Sequence, residues 1–170
     1  MFDVGDYIVY GVNGVCKVEK VGTVSVAGIP KDKMYYTLVP VYSKGSTVFT
    51  PTDNLKVVMR PIISKEEALT LVDSINEIEM IKEQDDRLQE VKYKEALKKC
   101  DCKECIRIIK TLYQKRQTRI AEGKKITSGD EKYLHLAEEY LYGELAIPLE
   151  MEKNEVEAFI CARVEILELA

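Results

Sequence analysis

The N-terminal stretch constrains the fold most, because its apolar residues alternate with a period of two. One parity holds Val4, Ile8 and Tyr10, the other holds Tyr7 and Val9, and the pattern resumes after a turn at Val15, Lys17 and Val18. Such alternation is typical of a half-buried β-strand. Gly5 and the pair Asn13-Gly14 flank residues 7–10 and tolerate the unusual backbone angles of tight corners. The stretch therefore predicts the first two strands of a small, sharply bent sheet.

The rest of the first 60 residues continues this pattern, since it is rich in Val, Tyr, Thr and Gly with turn residues at short intervals. Strands are predicted at residues 5–11, 14–26, 33–42, 46–50 and 55–59. Strands this short close most easily as an SH3- or Tudor-like small β-barrel. Pro40 cannot donate a ladder hydrogen bond, so its part of the third strand is predicted to lie at an edge or a bulge.

Beyond Pro61 the apolar residues recur at intervals of three and four, which predicts helices. The predicted helices span 65–83, 86–99, 103–121, a segment from Ser128 to just before Pro148, and 155–167. Ser64-Lys65-Glu66-Glu67 and Ser128-Gly129-Asp130-Glu131 resemble capping boxes, and Asp101 is a natural N-cap. The fold class is α+β, with the small β-barrel as residues 1–62 and an all-α helical domain as residues 63–170.

The spacing also predicts which helical residues are buried. The predicted core positions are Ala68, Leu71, Val72, Ile75, Ile78 and Ile81 in the first helix, Leu88, Val91 and Leu97 in the second, Ile106, Ile109, Leu112 and Tyr113 in the third, Leu134, Ala137, Leu141 and Leu145 in the fourth, and Val156, Phe159, Ile160, Val164 and Leu167 in the last.

The composition is that of a globular chain, with 46% hydrophobic and 32% charged residues. No run is long and apolar enough for a membrane span, and the acidic Asp3 and Asp6 do not fit a signal peptide. We therefore expect a cytoplasmic protein without a membrane partner. Five cysteines, three of them close together, fit a reducing compartment better than a disulfide framework.

Charge is segregated along the chain. The segment from Arg87 to Lys125 holds 13 Lys or Arg against 5 Asp or Glu, whereas the segment from Glu131 to Ala170 holds 3 against 10. A formal net charge of −4 conceals this asymmetry. It predicts that the basic segment carries a surface for a polyanion.

Several spaced motifs stand out, namely Gly5 to Val15, Tyr93-Lys94-Glu95-Ala96-Leu97, Ser128 to Glu131, and Gly143-Glu144-Leu145-Ala146. They resemble motifs of the CarD/CdnL family of bacterial transcription regulators, whose polymerase-interacting module, matched here by Gly5 to Val15, is shared with the transcription-repair coupling factor. Asn13 stands where the family usually has His, and both residues are acceptable in a turn. The order of these motifs carries the resemblance.

The resemblance implies that the barrel binds the RNA polymerase β subunit by adding a strand to its sheet. The implied contact residues are Thr47, Val48, Phe49, Thr50 and Pro51, with Phe49 as the apolar anchor. An exposed strand edge suits this role because its backbone groups lack partners. Alternatively, Val48 or Phe49 fills the barrel interior, and alternation allows only one of them to do so.

The resemblance also implies that the helical domain contacts promoter DNA upstream of the melted region and stabilises the open complex. The implied residues are Arg87, Gln89, Lys92, Lys94, Lys98, Lys99, Lys115, Arg116, Arg119, Lys124 and Lys125. Phosphate contacts by such residues are mostly independent of DNA sequence. The alternative is an ordinary solvated helix surface with Glu90, Glu95 and Glu104 as partners.

Some family members insert a Trp into the minor groove, but this chain contains no Trp. Gln89 occupies the equivalent position. A Gln side chain can hydrogen-bond in the groove but cannot wedge between bases as an apolar side chain does. The resemblance therefore implies anchoring to the DNA backbone without a wedge.

A cysteine cluster offers a function of another class. Cys100, Cys102 and Cys105 could form a zinc site or a thiol sensor, with His135 or Cys161 as a fourth ligand. Their spacing matches no paired CxxC pattern. His135 is the only histidine, and no catalytic signature accompanies it.

We therefore expect a non-enzymatic, monomeric transcription regulator without a metal or another cofactor. A thiol- or zinc-based sensor is the alternative, as is a Tudor-like adaptor that binds another protein or RNA.

Overall fold

The alternating N-terminal stretch forms two paired strands, as its period predicts. The computed structural model of the protein describes residues 1–43 and 45–169, with side chains through Glu165 of the last helix. The chain divides into residues 1–62, here called the β unit, and residues 63–170, here called the helical unit. Within the described residues, no helix combines the length and apolarity that a membrane span requires.

The β unit contains one antiparallel sheet in the order β4-β3-β2-β1-β5. Its strands are β1 (Tyr7–Tyr10), β2 (Val15–Gly22), β3 (Tyr35–Pro40), β4 (Val48–Pro51) and β5 (Met59–Pro61). The α+β class is confirmed. The predicted closed barrel is not, because a barrel requires its edge strands to pair, and β4 and β5 are the two open ends of the sheet.

One face of the sheet carries the core of the β unit. Its buried residues are Ile8, Tyr10, Cys16, Val18, Tyr36 and Leu38. A bulge in β2 shifts the register against β3 between Val18 and Lys20. This extra residue reverses the alternation, so that Val21 returns to the core face while Lys20 stays off it. Fully burying an apolar side chain of this size contributes about 1.5–3 kcal/mol.

Pro40 lies where its missing amide hydrogen is not needed. Val41 donates its backbone N–H to Val15 of β2, so the backbone of the preceding residue points to the other side of β3. On that side β4 pairs with β3 only as far as Leu38. The proline therefore interrupts no ladder hydrogen bond.

The helical unit contains five α-helices and two short 3₁₀ turns within the described residues. The helices are α1 (Lys65–Asp73), α2 (Asp86–Lys98), α3 (Cys102–Ala121), α4 (Ser128–Ala146) and α5 (Val156–Leu169). The 3₁₀ turns are Ile75–Glu77 and Lys153–Glu155. The Ser64 capping box and the Asp101 N-cap form as predicted, whereas α4 is capped by Thr127 rather than Ser128.

The first helix is ten residues shorter than the predicted span of 65–83, because it ends at Asp73. The hydroxyl of Ser74 donates to the carbonyl of Thr70, a local bond that competes with helix continuation. Ile78 and Ile81 are buried as predicted, but they lie outside any α-helix. The backbone N–H of Ile81 donates instead to Thr111 Oγ1 of α3, 2.8 Å away. Periodicity alone therefore overextended the helix.

The predicted core face of α2 is right for Leu97, which packs against the core, and wrong for the other two residues. Leu88 and Val91 are 52% and 48% exposed, and the buried residues are Gln89, Tyr93 and Ala96. The ring of Tyr93 packs 5.6 Å from that of Tyr133 in α4, centroid to centroid. The larger apolar surface of the tyrosine decides which face of α2 is buried. In α5, Val156 is buried as predicted, whereas the side chain of Leu167 lies outside the described residues.

A buried carboxylate joins three parts of the helical unit. Glu144 of α4 is 3% exposed. Its Oε2 accepts the backbone N–H of Ile63 at 3.0 Å, and its Oε1 accepts the thiol of Cys102 at 3.1 Å. Buried carboxylates need such partners to offset the loss of hydration.

Gly11 connects β1 to β2 at a position that excludes a side chain, which gives a stability prediction. Its φ is +46°, and an added Cβ would lie 2.7 Å from Val57 Cγ1. Gly5 also has a positive φ, +94°, but no atom lies within 4 Å of an added Cβ. We expect Gly11→Ala to destabilise the β unit by about 1–3 kcal/mol more than Gly5→Ala, because only the former adds a clash.

Hydrogen exchange of the β1 and β2 amides in the full chain measures this difference. Equal loss of protection in the two variants would contradict the prediction. It would mean that the clash with Val57 contributes nothing and that backbone strain, which both positions share, causes the whole loss.

Candidate functional site

The predicted polymerase-contact residues form an edge of the sheet. Val48, Phe49, Thr50 and Pro51 are β4, which pairs with β3 on one side and ends the sheet on the other. Thr47 precedes the strand and is exposed. The structure thus brings all five residues to one open edge.

Alternation separates the side chains of this strand. Val48 packs against the core of the β unit, and Thr50 on the same face is 1% exposed. The Oγ1 atom of Thr50 accepts a hydrogen bond of 3.0 Å from Asn54 Nδ2. Phe49 lies on the opposite face beside Thr37 and is half-buried. Of the two apolar residues, Val48 is therefore the one that fills the interior.

The backbone of β4 also alternates, and its register shows which groups point outward. Thr52 donates its backbone N–H to Met34 at 3.1 Å, so the even-numbered residues 48 and 50 point toward β3. The odd-numbered residues point away from the sheet. Thr47 and Phe49 each present an N–H and a carbonyl there, while Pro51 presents a carbonyl alone. Among residues 1–43 and 45–169, no backbone group bonds to these outward amides.

The opposite edge is protected. β5 is three residues long and contains Arg60 and Pro61. Charged and proline residues on a short strand discourage pairing with another strand. The segment from Gly45 to Pro51 contains no charged residue. The two edges therefore differ, and β4 is the one suited to accept a further strand.

The exposed side of α2 carries a basic stripe, defined here as Arg87, Lys94 and Lys98. These residues and Val91 recur at intervals of four, three and four, which places them along one side of the helix. The stripe spans about 16 Å at 1.5 Å per residue. Among the described side chains, neither Arg87 nor Lys98 has an acidic partner, and Lys94 pairs with Glu90 at 3.4 Å. Exposed surface pairs of this kind are weak.

Two predicted DNA-contact residues instead belong to the interior of the helical unit. Gln89 is 9% exposed and donates from Nε2 to the carbonyl of Glu83 at 3.1 Å. Its Oε1 accepts from Lys115 Nζ at 2.9 Å. The same ammonium lies 2.8 Å from Asp130 Oδ2 and 3.6 Å from Asp86. Gln89 and Lys115 are therefore occupied by contacts among α2, α3 and α4, and their predicted contact with DNA stays a prediction.

Several of the remaining predicted DNA-contact residues make local contacts, which differ from one residue to the next. Lys92 donates to the carbonyl of Lys82 at 3.0 Å, and Lys99 lies 3.8 Å from Glu104. The Arg116 guanidinium lies 4.8 Å from the Tyr113 ring centroid, an arrangement typical of a cation–π contact. Arg119 Nε donates to the carbonyl of Lys125 at 2.7 Å, which ties α3 to the loop that carries Lys124 and Lys125.

The sequence did not predict that some Lys and Arg side chains bind backbone carbonyls within the helical unit. Lys110 Nζ donates to the carbonyls of Ile75 and Ile78, at 2.8 and 2.6 Å, and Arg107 Nε donates to the carbonyl of Glu79 at 3.2 Å. These bonds hold the segment after α1 against α3. The excess of positive charge between Arg87 and Lys125 is thus partly structural.

The three clustered thiols do not form a ligand site. Cys102 and Cys105 are buried and Cys100 is half-buried. In the part of the chain that the structure describes, no three His, Cys, Asp or Glu side chains converge as a metal site. Cys161 and His135 are exposed. In the β unit, burial raises the pKa of the Cys16 thiol to about 11, so this thiol is protonated and unreactive at neutral pH.

Glu90, beside the basic stripe, is kept ionised by its neighbours. The hydroxyl of Tyr133 donates to Glu90 Oε1 at 2.9 Å. This bond, together with Lys94, lowers the pKa of the Glu90 carboxyl below its usual value. The pairing also connects α2 to α4 at the border of the stripe.

Comparison with known families identifies the β unit. Residues 2–63 match the model of the CarD-like/TRCF RID domain. The β unit is therefore similar to the CarD-like/TRCF RID domain, and the match supports a module that interacts with RNA polymerase. This confirms the predicted polymerase-interacting module, whereas the assignment of the whole chain to the CarD/CdnL family stays a prediction. No curated protein sequence matches the chain.

The internal position of Lys115 gives a stability prediction. We expect Lys115→Met to destabilise the helical unit by about 1–3 kcal/mol, because it leaves the largely buried Asp130 without its cation. Denaturant unfolding followed by helical circular dichroism measures the loss. Lys98→Ala is the control and should leave stability unchanged, since Lys98 has no partner among the described side chains.

A double variant, Lys115→Met with Asp130→Asn, tests the cause of the loss. It should recover part of the stability, since the uncompensated charge is gone. No recovery would show that Lys115 contributes through its stem or through Gln89 rather than through the ion pair.

Proposed function

We propose that this chain is a non-enzymatic regulator of bacterial transcription. Its β unit binds the RNA polymerase β subunit along β4, and its helical unit contacts promoter DNA through exposed cations. By holding DNA close to the enzyme, it stabilises the open promoter complex. The observation that carries the proposal is the coincidence of a CarD-like/TRCF RID domain with an open, uncharged strand edge in that domain.

The polymerase contact is strand addition. A strand of the β subunit would pair with the outward N–H and carbonyl groups of Thr47 and Phe49. Pro51 has no N–H, so it limits pairing at the end of β4. The half-buried Phe49 then supplies apolar area on the face away from the core of the β unit. Main-chain bonds give affinity here, and the aromatic side chain gives specificity.

The DNA contact is assigned to the basic stripe of α2. Arg87, Lys94 and Lys98 have their charges exposed and could neutralise phosphates along one strand. Leu88 and Val91, which α2 also exposes, provide the apolar surface beside them. Lys124 and Lys125 in the loop before α4 are a second exposed pair. The proposal involves neither Gln89 nor Lys115, because both are occupied inside the helical unit.

Covalent linkage of the two units makes weak DNA affinity sufficient. Once the β unit is docked, the helical unit meets nearby DNA at an effective concentration that reaches roughly the millimolar range for short linkers. A few phosphate contacts are therefore enough to act on the promoter without sequence preference.

A proline substitution separates the backbone contribution from that of the side chain. Phe49→Pro removes the outward N–H and the ring, whereas Phe49→Ala removes the ring alone. We expect both variants to weaken binding to the isolated polymerase β lobe, and Phe49→Pro to do so about tenfold or more beyond Phe49→Ala. Surface plasmon resonance measures the affinities.

Binding to free duplex DNA is the internal control, because the DNA-contact residues of the proposal all lie in the helical unit. Both Phe49 variants should keep the affinity of the parent chain for DNA. Equal affinities of the two variants for the β lobe would argue against strand addition, and a parallel loss of DNA affinity would contradict the division of labour.

The salt dependence of DNA binding tests the basic stripe. We expect the triple variant Arg87→Ala, Lys94→Ala and Lys98→Ala to reduce the slope of log K against log salt by about 3, since each phosphate contact contributes about 0.9. Fluorescence anisotropy between about 50 and 200 mM salt measures the slope.

Lys65→Ala is the matched control for this measurement. Lys65 is an exposed cation at the start of α1, outside the basic stripe. Its removal should leave the slope unchanged. A triple variant with the slope of the parent chain would remove the stripe from the DNA footprint.

A further inference from the structure

The open edge of β4 can also pair with itself. The segment Gly45 to Pro51 lacks the charged residues that normally protect an edge strand, although the opposite edge has Arg60 and Pro61. Thr47, Phe49 and Pro51 point their backbone groups away from β3. An edge of this kind is a template for pairing with another strand whose hydrogen-bonding groups match its own.

The outward groups of β4 match those of a second β4 in antiparallel orientation. If a two-fold axis passes beside Phe49, the two Phe49 residues face each other as a hydrogen-bonded pair and exchange both N–H···O=C bonds. Thr47 then faces Pro51 of the second copy and donates its N–H to that carbonyl. Each outward N–H of Thr47 and Phe49 then has a carbonyl acceptor. Because Pro51 has no N–H, only the Thr47 carbonyl of the other copy is left without a donor.

The side chains agree with this register. Phe49 of each copy lies beside Phe49 of the other on one face of the joined sheet, where aromatic pairs are favourable. On the other face, Val48 lies across from Thr50 of the second copy, and neither residue is charged. No like charges meet in this arrangement. Centring the axis on Phe49 is favoured because it places the two aromatic rings side by side.

We propose that a second copy of this chain pairs with β4 in antiparallel orientation about Phe49, forming a weak two-fold dimer. This dimer covers the groups that strand addition to polymerase would use. The competition between the two partners rests on the proposed function, whereas the dimer itself does not. Polymerase binding and self-association are then mutually exclusive. At high protein concentration, dimer formation therefore reduces the amount of chain that is free to bind polymerase.

The dimer is weak because its interface is small. Interfaces below about 1,200 Å² are typical of transient encounters. Two short edge strands provide few contacts, so a dissociation constant on the order of 100 µM or weaker is expected. At lower concentrations the chain is monomeric, in line with the monomer that the sequence predicts.

Sedimentation equilibrium of the full chain between about 10 µM and 1 mM tests the proposal. The average mass of the parent chain should rise with concentration. Thr47→Pro removes an outward N–H and should weaken association about tenfold or more, while Thr47→Ala keeps the N–H and should associate as the parent does. Hydrogen exchange of β2 and β3 checks that both variants are folded. A mass that is independent of concentration, or equal association of the two variants, would overturn the proposal.

Disulfide trapping tests the register. The Cα atoms of a directly opposed, hydrogen-bonded antiparallel pair lie about 5.5 Å apart, within disulfide range. Phe49→Cys should therefore link to itself under a glutathione redox buffer. Thr47→Cys should not, since its two copies lie roughly 14 Å apart in this register. Both variants also carry Cys161→Ser, because Cys161 is exposed, and mass spectrometry identifies the linked peptides. Equal linking at both positions would overturn the register.

Addition of the isolated polymerase β lobe separates this inference from the proposed function. The lobe should convert the dimer into a one-to-one complex. A chain that stays monomeric yet binds the lobe would overturn the dimer and leave the proposed function intact. A chain that dimerises and binds the lobe without losing its dimer would overturn the competition.

Discussion

The β-sheet of this protein is hydrogen-bonded on only one side of β4, and its interaction properties follow from that. The even-numbered residues of the strand are committed to β3, so the odd-numbered residues keep their backbone groups available. Burying such groups without partners would cost about 1–3 kcal/mol each. They are stable either in water or against another strand. The edge used in the proposed polymerase contact is therefore the same edge used in the proposed self-pairing.

Positive charge in the helical unit occurs in two settings that differ in burial. Lys110 and Lys115 are half-buried and bond to backbone carbonyls or to Asp130, which fixes the segments that surround α3. The stripe Arg87, Lys94 and Lys98 is exposed on α2. A cation whose hydrogen bonds are used inside the fold has little left to offer a phosphate. Only the exposed group can supply the counterion-release effect on which DNA binding depends.

Much of the fold was accessible from local patterns. Alternation identified the strands, and the capping residues Ser64 and Asp101 marked where two helices begin. Several of the errors share one cause, because they concern residues whose partners are distant in the chain. Periodicity carried the first helix past Ser74, while Thr111 of α3 held Ile81 in a non-helical segment. The Thr47–Pro51 segment was placed at an edge through family resemblance, which is information that the residues themselves do not contain.

The sequence by itself determined the type and order of the elements, the uncharged character of β4 and the concentration of basic residues between Arg87 and Lys125. These properties are local, since they depend on the period of apolar residues and on which residues can form turns. Tertiary structure decided that the sheet stays open, that α2 buries Gln89 and Tyr93 rather than Leu88 and Val91, and that Lys115 faces Asp130. Those outcomes depend on packing and hydrogen bonding between residues far apart in the chain, which no local pattern encodes.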